Sequence, residues 1–468
     1  GDNQNHAIIF TRGTFCQCID SNQGAYFEQM MLLPCVLGEF RSTRPSSRNS
    51  VGGMKQIIGF PEHITSDIGS IGDFAAGSEV AFGTILQRSY AILGARMHYG
   101  HPDLMQKCYM MQQGGVSKAT KTLNLSEDIF AGMDFTLRGR GRTIRHCEYF
   151  HLAKGRDLGF NSVLGFFCKL SSGAGEQIIT RQMFRLGQIL HLPECLTFYY
   201  AHVGYYMTQA FVSASLPLMV FTWLIILSSD CEGAYRAFEN CPETPAAATM
   251  ANLLGTWFSW LMVMFILITS FPLLFELWME RNLKDALRRV GKQFLTLSPL
   301  HYIFQAKIIG YYVMNELRYG GAQYVATGRG LPTERRDFIG KPVEEGWGIK
   351  GSGKDSQGLY LDYVVHTYYD GLNLLAGCLL VLLAGGASDA GESSAGLHFT
   401  WLSLGLTITS WLCAPFFFNP YMFKMANFKK DLRAWVGFFF AQDGGLKWIE
   451  WYDAKQLKIR HGFRRSVR

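Results

Sequence analysis

Four long apolar runs constrain this chain more than any other feature. They are Tyr205–Leu227, Met250–Leu277, Tyr363–Leu383 and His398–Phe418. Each is rich in Leu, Met, Phe or Trp, and as a helix each is long enough to cross roughly 30 Å of hydrocarbon. Trp and Tyr stand near their ends, where aromatic side chains favour a water–lipid boundary. The competing reading is a set of buried helices inside a large water-soluble core. Composition favours spans: only 17% of the residues are charged, against about 25% in ordinary soluble domains. At 468 residues the chain is too long for one ordinary domain.

Loop charge orders the spans. Ser228–Thr249 carries Asp230, Glu232, Glu239 and Glu243 against Arg236, and Ser388–Leu397 carries Asp389 and Glu392 with no Lys or Arg. The segment after the second run holds Arg281, Lys284, Arg288, Arg289 and Lys292, and the tail holds Lys424, Lys429, Lys430, Arg433, Arg464, Arg465 and Arg468. Positive charge marks the cytosolic side. This reading yields residues 1–200 as a cytosolic domain, 201–280 with two spans, and 281–362 as cytosolic interfacial helices and a loop. Residues 363–420 hold two more spans, and 421–468 form a basic cytosolic tail. Glu280–Gln305 alternates basic and apolar residues, as an amphipathic helix at a lipid surface does, or a solvated helix. Pro332–Gly358 reads as a loop.

Residues 1–200 mix helical and strand patterns. Ala7–Phe10 reads as a buried strand with Phe15–Ile19 as its hairpin partner, and Gln56–Phe60 as another strand. Tyr26–Glu39 and Glu79–Leu93 have helical spacing, Ser42–Gly53 is loop-like, and His63–Gly72 is polar. The net charge of +7 is spread out, so nucleic acid is not an expected partner. The 11 cysteines include no CxxC pair, which argues against a zinc module. Cys231 and Cys241 are the one pair placed for a disulfide, with two free thiols equally open. His98 and His101 lack a third metal ligand.

Chemistry concentrates between Gly114 and Arg181. Ser126–Ile129 (SEDI) offers adjacent carboxylates, Glu127 and Asp128, suited to general-base work; the bland reading is a helix cap. Lys154–Asp157 (KGRD) sets Lys154 and Arg156 beside Asp157, and Lys118 and Lys121 lie upstream. Cations stabilise a diphosphate leaving group; a surface salt bridge is equally open. Gly173–Gln177 (GAGEQ) lacks the spacing of a P-loop or a Rossmann turn. From the residues alone, a polysaccharide synthase and a transporter with a regulatory domain both remain.

Longer motifs narrow this. GDNQNHAIIFTRG, IGSIGDFAAGSEVAFGTI, RMHYGHPD, QGGVSKATKTLNLSEDIFAGM, RHCEYFHLAKGRDLGFN, GAGEQIITRQMFRLG, LTFYYAHVGYY, GGAQYVATGRG and FFFNP occur in this order. Together they resemble the 1,3-β-glucan synthase and callose synthase family, glycosyltransferase family 48, over nearly the whole chain. The resemblance implies an α/β, partial GT-A-like cytosolic glycosyltransferase domain followed by an α-helical membrane bundle of about four transmembrane helices. It implies inverting transfer of glucose from UDP-glucose to a growing β-1,3-glucan at the plasma membrane, with the product carried outward. Asp128 is then the first candidate base, with Glu127 next and Glu148 (HCEYF) the rival. Lys118, Lys154 and Arg156 would meet the diphosphate beside Asp157, Gln177 and Arg181 the acceptor, and Glu79 the donor. The expected partners are UDP-glucose, a glucan chain, the lipid bilayer and a Rho-type GTPase. No metal site is expected from these residues and no cofactor is certain; without a DxD motif a Mg²⁺ requirement stays open. The chain resembles a C-terminal piece of the family, with other donor-site residues expected upstream of Gly1. The alternative is a non-catalytic polysaccharide channel or scaffold subunit with a degenerate transferase domain.

Overall fold

A computed structural model describes residues 2–20, 23–24, 26–41, 55–65, 69–93, 103–116, 126–139, 144–155, 160–228, 258–320, 356–385, 395–417 and 424–439. Helices dominate, and the strands are two or three residues long. The helices are α1 (Asp2–Phe10), α2 (Phe27–Met31), α3 (Leu33–Gly38), α4 (Gly69–Glu79), α5 (Gln87–Leu93), α6 (Lys107–Gln112) and α7 (Glu127–Gly139). They continue as α8 (Phe160–Ile178), α9 (Arg181–Ile189), α10 (Leu192–Ala201), α11 (Val203–Ser228), α12 (Phe258–Glu280), α13 (Leu283–Leu295) and α14 (Ser298–Tyr319). The last three are α15 (Ser356–Gly385), α16 (Ala395–Phe417) and α17 (Met425–Phe439). The strands are β1 (Phe15–Gln17), β2 (Gln23–Gly24), β3 (Ile57–Gly59), β4 (Glu62–Ile64), β5 (Leu104–Gln106), β6 (Ile144–His146) and β7 (Leu152–Lys154).

The strands make two small sheets, ordered β1-β5-β3-β6 and β2-β7-β4. In the first, β3 pairs antiparallel with β5 and parallel with β6. In the second, β4 runs parallel to β7, and β2 is antiparallel to it. The apolar runs that feed these strands are short, so pairing stops after a few residues. One core of Ile57, Met105, Met110, Phe135 and Ile144 joins the first sheet to α6 and α7. Another, with Ile58, Phe60, Phe150 and Leu152, joins the two sheets.

The expectation of an α/β, GT-A-like domain followed by a bundle of membrane spans is therefore corrected. The chain is mostly helical with small sheets, and no helix among the described residues is long and apolar enough to cross a membrane. The four apolar runs do form helices in their described parts: α11, α12, α15 and α16. Polar groups interrupt them, and Pro217 and Pro272 lie inside α11 and α12. These polar groups meet one another across helix contacts. Gln209 donates to the Tyr302 hydroxyl at 3.0 Å and Ser213 to the Ala306 carbonyl at 3.3 Å. Thr367 donates to the Trp411 carbonyl at 2.8 Å and Ser410 to the Leu300 carbonyl at 2.7 Å. α14, which lies in none of the four runs, is the helix on which α8, α11 and α16 pack. Its Leu300, Phe304 and Ile308 share a core with Val163, Leu164, Tyr368 and Leu412.

Local differences have local causes. Ala7–Phe10 lies in helix α1, which turns Ile8 into the core, so it is not a strand. Phe15–Gln17 pairs with β5 instead of with that segment. Tyr26–Glu39 is helical but splits at Leu32, with Pro34 opening the second helix as Pro prefers. Glu280–Gln305 breaks at Leu297, a left-handed residue with φ of 65°, which separates amphipathic α13 from buried α14. Gln56–Phe60 contains β3 as expected. Ser42–Gly53, His98, His101, Cys231, Cys241 and most of Pro332–Gly358 lie outside the described residues.

Candidate functional site

The residues singled out by sequence fall into three contact groups. The first is built on the parallel pair β4–β7. Register places Ile64 beside Lys154 and Glu62 beside Leu152. Side chains two apart share a face of a strand, so Glu62 and Lys154 meet on one face. Lys154 Nζ lies 3.0 Å from Asp20 Oδ2 and 3.6 Å from Glu62 Oε1. Gln23, on β2, donates its amide to Glu62. The buried ammonium is thus held between two carboxylates. The other face of the same strands carries His63 and His151, whose rings meet edge-on with centroids 4.6 Å apart. Packing lowers the affinity of both imidazoles for a proton. For His63 burial is the larger cause and the Glu79 carboxylate opposes it; for His151 burial is joined by His63 itself. Glu79 therefore faces this side of β4.

Glu79 occupies a special place in its helix. α4 and α5 are one continuous helix, joined by a π-helical stretch, Val80–Leu86, that begins just after Glu79. Such wide turns are uncommon and often accompany functional sites. The Glu79 carboxylate folds back over Gly83, where an added Cβ would come within 2.7 Å of it.

The second group surrounds Glu148. Arg88, on α5, forks onto Glu148 through two nitrogens, one contact at 2.7 Å. The same guanidinium also holds Glu276 of α12, at 2.8 and 3.2 Å. A carboxylate held in this bidentate fashion is fixed in place, and its lone pairs are engaged. Glu148 is therefore less suited to taking a proton than its sequence setting suggests.

The third group is the start of α7. Glu127 and Asp128 occupy its first turn, where acidic groups favour the positive end of the helix. Asp128 Oδ1 accepts from the Ile129 amide at 2.8 Å. A core of Phe130, Met133, Leu186 and Phe198 packs α7 against α9 and α10. This brings the Asp128 carboxylate up to Tyr206, whose phenol pKa is pushed up to about 12, by burial first and by Asp128 second. Gln177 is buried at the end of α8, whereas Arg181 is exposed as the first residue of α9. Thr180 caps α9 between them, accepting from the Met183 amide at 3.4 Å. Lys118, Arg156 and Asp157 lie outside the described residues. Among the described residues, no group of three or more His, Cys, Asp and Glu is placed to hold a metal ion.

The profile of the family described as "1,3-beta-glucan synthase component" matches residues 1–467. The chain belongs to the 1,3-β-glucan synthase family. A "1,3-beta-glucan synthase component" of Cordyceps militaris is 35% identical, over 100% of this chain and 23% of that protein. "1,3-beta-glucan synthase component FKS3" of Saccharomyces cerevisiae is 33% identical over 94% of this chain and 24% of its own length. "Callose synthase 7" of Arabidopsis thaliana is 34% identical over 98% and 22%. The chain thus spans about a quarter of these glucan synthases and callose synthases.

For a member of the glucan synthase family, several of these groups were hidden in the sequence. Asp20, Glu62 and His63 belong to no motif; the register of β4 on β7 and the reach of Lys154 to Asp20 bring them together with His151. Arg88 and Glu276 are 188 residues apart and meet where the π-helical stretch before α5 packs on α12.

Proposed function

We propose that this chain is part of a UDP-glucose-dependent 1,3-β-glucan synthase that transfers glucose to a growing β-1,3-glucan with inversion. The family match across residues 1–467 carries the reading. In it, a base takes the proton of the acceptor hydroxyl as that oxygen attacks the anomeric carbon, and the diphosphate leaves. Asp128 is the base we assign. It stands at the first turn of α7 beside the buried Tyr206 phenol, whereas the forked Arg88 guanidinium engages its rival Glu148. Glu127, its neighbour, is next.

Lys154 is the cation assigned to the departing diphosphate. Asp20 and Glu62 hold it in place until a more highly charged group competes for it. Lys118 and Arg156 remain candidates for the same role by sequence alone. Glu79, on the opposite side of β4, is assigned to the donor sugar. Gln177 and Arg181 are assigned to the acceptor, Gln177 by shaping the end of α8 and Arg181 by direct contact. On the resemblance alone, the reaction is placed on the cytosolic side.

The test uses the full-length protein with radiolabelled UDP-glucose, and digestion of the polymer by β-1,3-glucanase. The wild type is expected to make glucanase-sensitive product. Asp128→Asn is expected to lower incorporation by about 10²–10⁴-fold, the usual worth of a positioned base. Full incorporation by Asp128→Asn and Glu127→Gln together would remove the base assignment. Absence of product from the wild type would favour a scaffold subunit, and product that resists the enzyme but yields to cellulase would favour a different linkage.

A further inference from the structure

The contact between α8 and α14 contains two acids that the proposed reaction does not use. Glu176 and Glu316 are 7% and 2% exposed. The helices approach closely at Gly175: a Cβ built there would lie 2.6 Å from Glu316 Cβ and 2.8 Å from its Cγ. The Glu316 side chain therefore lies across the α8 backbone at the residue next to Glu176. One Glu176 oxygen, Oε2, is buried with no hydrogen-bond partner among the described residues. Buried polar atoms are nearly always satisfied, so an orphaned carboxylate oxygen beside a second acid implies something bound there.

We propose that Glu176, buried on the α8 side of this contact, holds a proton, and that this proton sets how firmly the end of α8 is held on α14. Burial in an apolar contact with a second acid nearby disfavours an ionised carboxylate; a proton removes both the desolvation cost and the repulsion. The charged and titratable groups of the surrounding elements are placed as follows. On α14, Tyr312 lies one turn before Glu316, and Arg318 lies beyond it. Tyr312 meets His366 of α15 at 3.2 Å, and Lys307 pairs with Asp370 of α15. α11 carries no Asp, Glu, Lys, Arg or His. α9 begins with exposed Arg181, and on α8 itself Lys169 lies two turns earlier. Burial first, and Glu316 second, raise Glu176 from 4.5 to about 7.

The sign follows. Folded Glu176 holds its proton more tightly than in the unfolded chain, so the contact is firmest in acid and weakens as pH rises from 4.5 to about 7. Gln177 follows directly, so the end of α8 that carries it would loosen in the same window. The inference holds whether or not the chain transfers glucose.

Hydrogen–deuterium exchange on the full-length protein tests it, with rates corrected for the intrinsic effect of pH. Peptides covering α8 are expected to exchange severalfold faster at about pH 8 than at about pH 5.5 in the wild type. In Glu176→Gln, where a neutral amide stands in for the protonated acid, that difference should vanish, and in Glu316→Gln, where burial alone still acts on Glu176, it should shrink. The same pH dependence in wild type and both variants would overturn the proposal. Should neither variant fold, infrared spectroscopy of the wild type decides: a carboxylic-acid carbonyl band lost between those two pH values supports the buried proton, and its absence at the lower pH refutes it.

Discussion

Arg88 shows how much one side chain can hold together. Its guanidinium binds Glu148 from the turn after β6 and Glu276 from α12. Glu276 is almost buried and Glu148 is exposed, so removing the cation would leave one buried acid unpaired beside a second, solvated one. Arg88→Ala is expected to destabilise the fold by about 1–3 kcal/mol, less than a fully buried pair because water screens the Glu148 half. Arg88→Lys should recover only part of this, since an ammonium cannot fork onto two carboxylates at once. Melting midpoints of the three proteins check both statements; equal midpoints for the wild type and Arg88→Ala would show the pairs to be surface decoration. Asp73, wholly buried between Arg289 and Lys292 at 3.1 and 3.0 Å, makes a second such tie.

Those two ties are placed on one element. Asp73 sits on α4 and Arg88 on α5, so the continuous helix from Gly69 to Leu93 grips α13 at one end and α12 at the other. The π-helical stretch lies between the grips and carries Glu79 at its edge. Elsewhere, helices meet through glycine. An added Cβ at Gly310 of α14 would lie 3.0 Å from Ala210 Cα and 3.1 Å from the Gln209 carbonyl of α11. Both neighbours are backbone and have no rotamer to change. Gly310→Ala is accordingly expected to cost about 1–3 kcal/mol despite the better helix propensity of Ala. Gly405, around which nothing lies within 4 Å, is the control: Gly405→Ala should leave stability unchanged or raise it slightly. Chemical denaturation of the two variants distinguishes these outcomes.

For the whole molecule, buried titratable groups set the pH range of stability. His202 and His301 are pushed down from 6.5 to about 4 and about 3, in both cases by burial. The unfolded chain takes up these protons near 6.5 and the folded chain does not, so their contribution is complete above that pH and is lost as pH falls below it. Glu176 acts in the opposite sense. The melting midpoint is expected to fall on the acid side between about pH 6.5 and about pH 4, and His301→Phe should flatten that slope. Phe fits the site because His301 already packs on Phe74 with centroids 4.3 Å apart. An unchanged acid slope in His301→Phe would remove His301 from this account.

Much of this arrangement could be read before any coordinates, and the reasons for the rest are physical. Long motifs carried the family, and periodicity placed the helices of the apolar runs and the strand at Ile57–Gly59. The same apolar runs misled on architecture, because hydropathy records how much of a helix avoids water and not what covers it. Gln209, Ser213, Thr367 and Ser410 look like interruptions in sequence and prove to be contacts between helices. Lys154 and Glu127–Asp128 stood out as chemistry in the residues themselves. Glu148 did too, but Arg88, 60 residues away, engages it.

The sequence alone determined the family, the helical periodicity and the residue types able to move a proton or meet a diphosphate, since these depend on side-chain chemistry and local spacing. Only the tertiary structure decided which charges pair, which acids are buried, and that no described helix is long and apolar enough to cross a membrane. Pairing and burial depend on distance and on excluded water, and both are created when separate segments pack together. Helix length depends on where packing lets each helix begin and end.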